Sequence, residues 1–468
     1  MRILHAFGWT LTSLILKYAL KLVGNLVLAR LLSPGDFGVA AIVFSIISGV
    51  EALSDAGVRP AVLRSPRTDM TWLNTAWTLQ LGRGVLVAIV IAAIAPVIAY
   101  TLGRPELQYM ISVAGLMTLV TSLSSASVLM ALRNLDLFRF SICEIVSTLF
   151  GYAVMLFWAW MSPTAWALLT GGLATAGCMA LLSYLLLPSF KHQLMLDKES
   201  RTELLSFGKW VFLGTALGFA MMQGDRIVTA YVLGLEDLGI YFVAVTWASS
   251  LQQLIGMVLS RLYLPVASEF RRSAAEPAQK SRRLRGWILC ALLIPLAFGS
   301  AGSPYLLSMV YPSSFALAGT VLSILVIGTW LAIIDGLLTD EMMAAGKPYS
   351  RVAAQLISAV FAAFALLLYP WELNVTVIAM LFVSTTALRV VTVGLMIYGP
   401  KAVATSPEIV LSAAVVVMAW TFSRFMEFAL PYFGGLYLLL MVGIAVAAVA
   451  LPVFWIVMKK IVQEPNRL

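Results

Sequence analysis

Residues 8–34 read GWTLTSLILKYALKLVGNLVLARLLSP, and the apolar run from Trp9 to Leu32 is long enough to cross a bilayer as one helix. Within it Ser13, Lys17, Lys21 and Asn25 recur every four residues, which stacks them along one slowly drifting helix face. Two ammonium groups at membrane depth are costly, so that face turns away from lipid. Counted from Trp9, Lys17 lies about 12 Å into the membrane and Lys21 about 18 Å, close to the midplane. In one reading both lysines snorkel along their own stems to the nearer headgroups. In the other, the face lines a water-filled, positively charged cavity that receives an anionic substrate. The helix has no acidic residue, so a neutralising carboxylate must come from another segment.

The rest of the chain is as apolar as this segment. Of 468 residues, 61% are hydrophobic and 11% charged, whereas soluble proteins carry roughly 25% charged residues. A multi-span membrane protein is the class that fits. Cys143, Cys178 and Cys290 each sit in a hydrophobic run and read as small buried apolar residues, neither a disulfide frame nor a metal site. Two histidines, His5 and His192, are too few for a histidine-rich metal centre, and no cofactor is expected. The first apolar run is too long for a cleavable signal and carries Lys17 and Lys21.

The hydropathy pattern predicts an all-α polytopic protein of about fourteen transmembrane helices. They fall near 9–32, 37–57, 74–101, 106–131, 138–161, 165–187, 208–232, 238–263, 286–309, 316–339, 350–370, 373–398, 408–430 and 436–458. Of the 31 lysines and arginines, 22 lie in one set of alternate loops and termini, 2 in the other, and 7 within the spans. That asymmetry places both termini and the loops 188–207 and 264–285 in the cytosol. It also accounts for the net charge of +9 without nucleic acid. The segment 271–285 reads as a solvated basic piece at the anionic inner leaflet.

An internal repeat aligns residues 29–39 with residues 230–240, and Trp9 with Trp210, at an offset of 201. Each copy ends one span, turns through an aspartate and starts the next span near a glycine. Two parallel six-helix bundles follow, at 1–190 and 191–400, with two further helices and a cytosolic tail at 401–468. Transporters place substrate between such repeats.

Six further intramembrane or boundary charges are candidates for chemistry. Glu51 and Asp55 share a face of the second span, Glu51 about 9 Å from the inner edge and level with Lys17. A structural Lys17–Glu51 pair and a protonatable carboxylate in the cavity are both open readings. Glu144 is another acid at membrane depth, so Glu51, Asp55 and Glu144 are the ion-coupling candidates. Arg83 and Arg389 lie about 12–14 Å from the cytosolic edge. Arg226 occupies the position that the repeat assigns to Asn25, and its neighbour Asp225 points about 100° away on a helix. Lys21, Lys17, Arg83, Arg226, Arg389 and Asn25 are therefore the substrate-binding candidates. Arg424 and Glu427 neutralise each other at i,i+3. The Ser/Thr run at 118–127 reads as helix packing and backbone hydrogen bonding. No nucleotide-binding loop, zinc spacing or nucleophile elbow occurs, and no catalytic residue is expected.

Several stretches resemble the polysaccharide transporter family of the multidrug/oligosaccharidyl-lipid/polysaccharide (MOP) flippase superfamily. ARLLSPGDFGVAA (29–41) is similar to the family's first hairpin, and SDAGVRPAVLR (54–64) to the end of its second span. GDRIV (224–228) with LGIY (238–241) resembles the matching hairpin of the second half. RLYLPVASEF (261–270) resembles the end of span eight, and AAGKP (344–348) the turn after span ten. Arg59 and Arg64 depart from the family, which often has Gln or Leu there. The resemblance implies a bacterial inner-membrane flippase for undecaprenyl-diphosphate-linked oligosaccharide units, two six-span bundles and alternating access. It implies as partners the lipid-linked anionic glycan, membrane lipid and other polysaccharide-synthesis proteins. Three alternatives remain: a cation-coupled drug exporter of the same superfamily, which the two lysines disfavour; a membrane glycan polymerase or ligase, for which the short outer loops leave little room; and a non-transporting scaffold in a polysaccharide-synthesis complex, which the intramembrane charges disfavour.

Overall fold

The computed structural model describes residues 2–54, 58, 61–62, 67, 69–134, 136–188, 190–206, 218–219, 223–273, 277–344, 349–368, 373–399 and 407–433. Among them every regular element is a helix. In chain order these are α1 (Arg2–Leu28), α2 (Pro34–Ser54), α3 (Met70–Thr101), α4 (Leu107–Ser122), α5 (Ser127–Arg133), α6 (Leu137–Met161), α7 (Trp166–Leu185) and α8 (Lys198–Ser206). A helical stretch at 223–232 precedes α9 (Leu235–Ser273), α10 (Pro277–Val310), α11 (Ala316–Ala344), α12 (Tyr349–Leu368), α13 (Val375–Tyr398) and α14 (Pro407–Phe433). Nine helices among the described residues are long and apolar enough to cross a membrane, ten if α4 and α5 form one bent span. Asp55, the span expected at 436–458 and most of that expected at 208–232 lie outside the described residues.

The span expected at 106–131 is broken, with α4 and α5 meeting at 62°. Hydroxyls at the break take backbone N–H groups that a continuous helix would use, as where Ser125 Oγ accepts the Ser127 N–H at 3.0 Å. Ser125 N–H donates to Ser183 Oγ at 2.8 Å, and Ser127 Oγ–H donates to the Pro188 carbonyl at 2.6 Å. Packing and backbone bonding, as the composition suggested, is what this run does.

The chain divides into two compact units, Met1–Gly239 and Ile240–Leu468. In the first, α6 lies along α1 and α7, while α4 packs on α3 and α7 and touches α2. In the second, α10 packs on α11 and α14, and α13 on α11 and α12. On α1 the polar face turns inward as expected. Ser13 is 1% and Asn25 6% exposed, whereas Ile15 and Val23 on the opposite side are 52% and 59% exposed.

The repeat reappears as a reciprocal backbone contact. A Cβ on Gly38 would lie 1.7 Å from the carbonyl oxygen of Leu235, and one on Gly239 would lie 1.7 Å from that of Pro34. Both pairs are related by the offset of 201 residues. Only a residue without a side chain lets the starts of α2 and α9 approach this closely. The turn before α2 is closed by Ser33 Oγ–H donating to Asp36 Oδ2 at 2.6 Å. Asp36 Oδ1 accepts the Ala165 N–H at 2.9 Å, tying this hairpin to the α6–α7 turn.

Residues 190–197 form an extended strap across α3, which offers it one polar side chain after another. Asn74 Oδ1 accepts the Gln193 N–H, Thr78 Oγ1 that of Met195 and Thr75 Oγ1 that of Asp197. His192 sits among Trp77, Tyr184 and Phe190, with ring centroids 4.8–5.0 Å away. Its Nε2 accepts the Ala126 N–H at 3.3 Å, so that nitrogen is unprotonated. Burial pushes the imidazole pKa down, opposed by a hydrogen bond with the Phe190 backbone.

Two outcomes follow. Gly38→Ala and Gly239→Ala each lower the thermal midpoint in detergent, by the about 1–3 kcal/mol typical of overpacking, and less than additively when combined. Gly82→Ala, whose Cβ would meet nothing within 4 Å, is the unchanged control. For His192, a folded pKa below the unfolded one means that the unfolded chain binds more protons. The stability it contributes is present above the ordinary histidine value of about 6.5 and is lost as pH falls below it toward the depressed folded value. Thermal midpoints between pH 7.5 and 5.0 decline in the native protein and decline less in His192→Gln. An equal decline in both contradicts this account of the strap.

Candidate anion-binding site

The inward face of α1 carries the site. Lys17 Nζ donates to Glu144 Oε1 of α6 at 2.8 Å, both side chains about one-third exposed or less (32% and 26%). Lys17 thus pairs with Glu144 and not with Glu51, the partner considered from depth alone. The reason is packing: α6, not α2, lies along α1. Glu51 accepts the Thr118 hydroxyl of α4 at 2.6 Å.

One turn deeper, Lys21 is half-buried and has no ion pair or hydrogen bond among the described residues. The charge that acts on it through space is another cation, the Arg226 guanidinium. Arg226 Nη1–H donates to Gln223 Oε1 at 2.6 Å, and the same oxygen accepts the Ser45 hydroxyl of α2 at 3.2 Å. Asp225 Oδ1 accepts the Arg226 backbone N–H at 2.8 Å. Asn25 is buried on the same α1 face as Lys21. Arg226 is thus tied to a neutral amide, Lys21 stands in its field without a hydrogen bond among the described residues, and Glu144 is engaged by Lys17. Like charges in a low-dielectric setting repel by several-fold more than in water, and an anion placed between them reverses the sign.

The remaining candidates are placed elsewhere. Arg83 of α3 braces the end of α2, donating from Nη2 to the Glu51 carbonyl at 2.8 Å and from Nε to Ser54 Oγ at 3.0 Å. Arg389 of α13 pairs with Asp335 of α11 at 3.0 Å. This pair lines a cavity of about 460 Å³ in the second unit, together with Gln252, Gln253, Thr339 and Asp340. Arg424 and Glu427 pair at 2.9 Å, as their spacing indicated. No three metal-ligating side chains converge among the described residues.

The sequence did not single out the most enclosed ion cluster. Arg285 of α10 is 0% exposed. It donates from Nε to Glu408 of α14 at 2.9 Å and from Nη1 to Tyr398 of α13 at 2.8 Å and Tyr263 of α9 at 3.2 Å, and it also contacts Glu341 of α11. One guanidinium thereby joins five helices. Its position at a span boundary made it look solvated. The signal that was available is that Glu341 and Glu408 stand at the boundaries of other spans, as carboxylates needing a partner.

A family model described as polysaccharide biosynthesis protein matches residues 27–318. The chain is 24% identical over 340 residues to the succinoglycan biosynthesis transport protein ExoT of Rhizobium meliloti (strain 1021), covering 71% of this chain and 66% of that one. It is 22% identical over 264 residues to the lipopolysaccharide biosynthesis protein WzxC of Escherichia coli (strain K12), covering 56% and 54%. The chain therefore spans less than two thirds of the length of each of these relatives. Among solved structures it is similar to the lipid II flippase MurJ in an inward closed conformation, with a TM-score of 0.68 and 13% identity over 97% of this chain and 98% of that one. It is also similar to an inward-facing multidrug resistance MATE family transporter of the MOP superfamily, with a TM-score of 0.59 and 12% identity over 85% and 95%. At such identities the likeness is one of fold.

The Lys17–Glu144 pair makes a separable contribution. Glu144→Gln leaves an ammonium without its counter-charge and lowers stability, whereas Glu144→Gln with Lys17→Met recovers part of the loss. A double-mutant cycle on thermal unfolding in detergent gives a coupling of about 1–2 kcal/mol. A coupling near zero shows the pair to be solvated and inconsequential.

Proposed function

The chain belongs to the polysaccharide biosynthesis protein family, and from that premise we propose that it is a transporter that flips polyprenyl-diphosphate-linked oligosaccharide units across the bacterial inner membrane. The single observation that carries this reading is Lys21: an ammonium on an inward helix face, without an acidic partner among the described residues, in the field of Arg226. A diphosphate brings two or more negative charges on tetrahedral oxygens, which is the complement of that arrangement. Lys21 and Arg226 take the phosphates, while Asn25, Gln223 and Ser45 offer amides and a hydroxyl to the first sugar. Lys17 with Glu144 and Arg83 with the end of α2 hold the walls. Arg389 with Asp335 lines a separate polar cavity of the second unit. In this reading no covalent step is performed, and alternating access supplies the transport.

Both termini face the cytosol, where other polysaccharide-synthesis proteins deliver the lipid-linked unit. Of the coupling candidates, Glu144 is engaged by Lys17 and Glu51 by Thr118, so each exchanges an ion only by giving up that partner. The drug-exporter alternative asks a cationic cargo to enter the field of Lys21 and Arg226, which costs where an anion gains.

Lys21→Gln tests the reading. A charge-assisted contact of about 1.5–3 kcal/mol corresponds to roughly a 10–150-fold weaker apparent affinity. A strain lacking the gene accumulates cytosol-facing lipid-linked units. The native gene clears them, Lys21→Arg clears them partly, and Lys21→Gln fails to clear them at equal membrane abundance. Normal clearance by stable Lys21→Gln protein overturns the assignment.

A further inference from the structure

A groove of about 670 Å³ opens between α10 and α14, away from the residues discussed for transport. Its chemistry changes along its length. Arg282 and Arg283 line one end, Trp287 the middle, and Cys290, Val410 and Leu411 the apolar remainder. Gln279 adds one amide, and no carboxylate is among its described lining residues. Arg283 and Cys290 are exposed, and Val410 is 68% exposed, so the groove stands open.

The depth of each residue follows from helix length. α10 has 34 residues and rises about 51 Å, well beyond the about 30 Å of hydrocarbon. Counting the about 20 residues of a crossing back from Val310 puts the hydrocarbon edge near Cys290. Trp287 then falls in the interfacial layer that indoles favour, and the two guanidiniums fall a turn further out, at headgroup level. Phosphate, glycerol and acyl chain of a phospholipid follow the same order over the same distance.

We propose that this groove binds an anionic glycerophospholipid of the bilayer, its phosphate on Arg282 and Arg283 and an acyl chain along Cys290 and Val410. A soluble anion has no use for the apolar half, and an oligosaccharide finds one amide and no hydroxyl or carboxylate to bond its hydroxyls. The site reaches further into the second unit through Arg282. That residue also lines an adjoining cavity of about 200 Å³ shared with Glu408 and Tyr398, two partners of Arg285. Lipid in the groove therefore buttresses the five-helix cluster, whether or not the transport reading holds.

The test uses the full chain, delipidated in neutral detergent, with phosphatidylglycerol as the probe. Phosphatidylglycerol raises the thermal midpoint saturably, whereas phosphatidylcholine and soluble glycerol phosphate leave it unchanged. Arg282→Gln with Arg283→Gln weakens the apparent affinity about tenfold or more, since each basic residue near an anionic headgroup adds about a factor of five. In the unaltered protein, phosphatidylglycerol slows maleimide alkylation of Cys290, read peptide by peptide, which keeps the test independent of how the double variant folds. An equal shift with phosphatidylcholine or glycerol phosphate, or Cys290 alkylation unaffected by phosphatidylglycerol, overturns the proposal.

Discussion

A charge held at membrane depth must be paired, wetted or supplied with a counter-ion by a ligand, because the desolvation cost is otherwise several kcal/mol. The described charges of this chain sort themselves by that constraint. Lys17 has Glu144 and Arg389 has Asp335, and at a span boundary the buried Arg285 has two glutamates and two tyrosines. Lys21 has another cation for company instead. A structural role explains the first three, since each joins helices that pack against one another. It does not explain Lys21, whose position adds repulsion and no bond among the described residues. The proposed transport reading accounts for Lys21 by a partner that arrives with the cargo.

The backbone supports the same arrangement. α1 keeps its polar face inward because Ile15, Val23 and their neighbours occupy the opposite side. The hairpin that follows is held by Ser33, Asp36 and the Ala165 amide. The glycines at 38 and 239 then bring the starts of two helices within backbone distance. Arg226 lies a short helix away from that contact, on the stretch that carries Gln223. The repeat thus sets Arg226 where the first half presents Asn25.

Much of this was legible in the sequence because it is periodic. A four-residue recurrence of polar groups in an apolar run states which side of α1 is buried, and two aspartate–glycine turns at a fixed offset state that the hairpin is repeated. Partner choice was less legible. Depth placed Glu51 level with Lys17, yet it is Glu144 that accepts the lysine's hydrogen bond, because which helices adjoin is a tertiary fact that spacing does not encode. The bend between α4 and α5 was written in the serines but could be read only once Ser183 and Pro188 were seen to claim their bonds. Arg285 was missed for a physical reason: at a span boundary, an arginine drawn into a cluster and one solvated by headgroups have the same sequence.

The central claim is that an uncompensated ammonium at Lys21 recognises phosphate on a lipid-linked glycan. Its most direct measurement compares two ligands for the purified protein, the polyprenyl-diphosphate-linked oligosaccharide and the same oligosaccharide joined to polyprenol without phosphate. The account predicts at least tenfold tighter binding of the diphosphate, a preference that falls as salt rises. Equal affinity for the two ligands at low salt contradicts it.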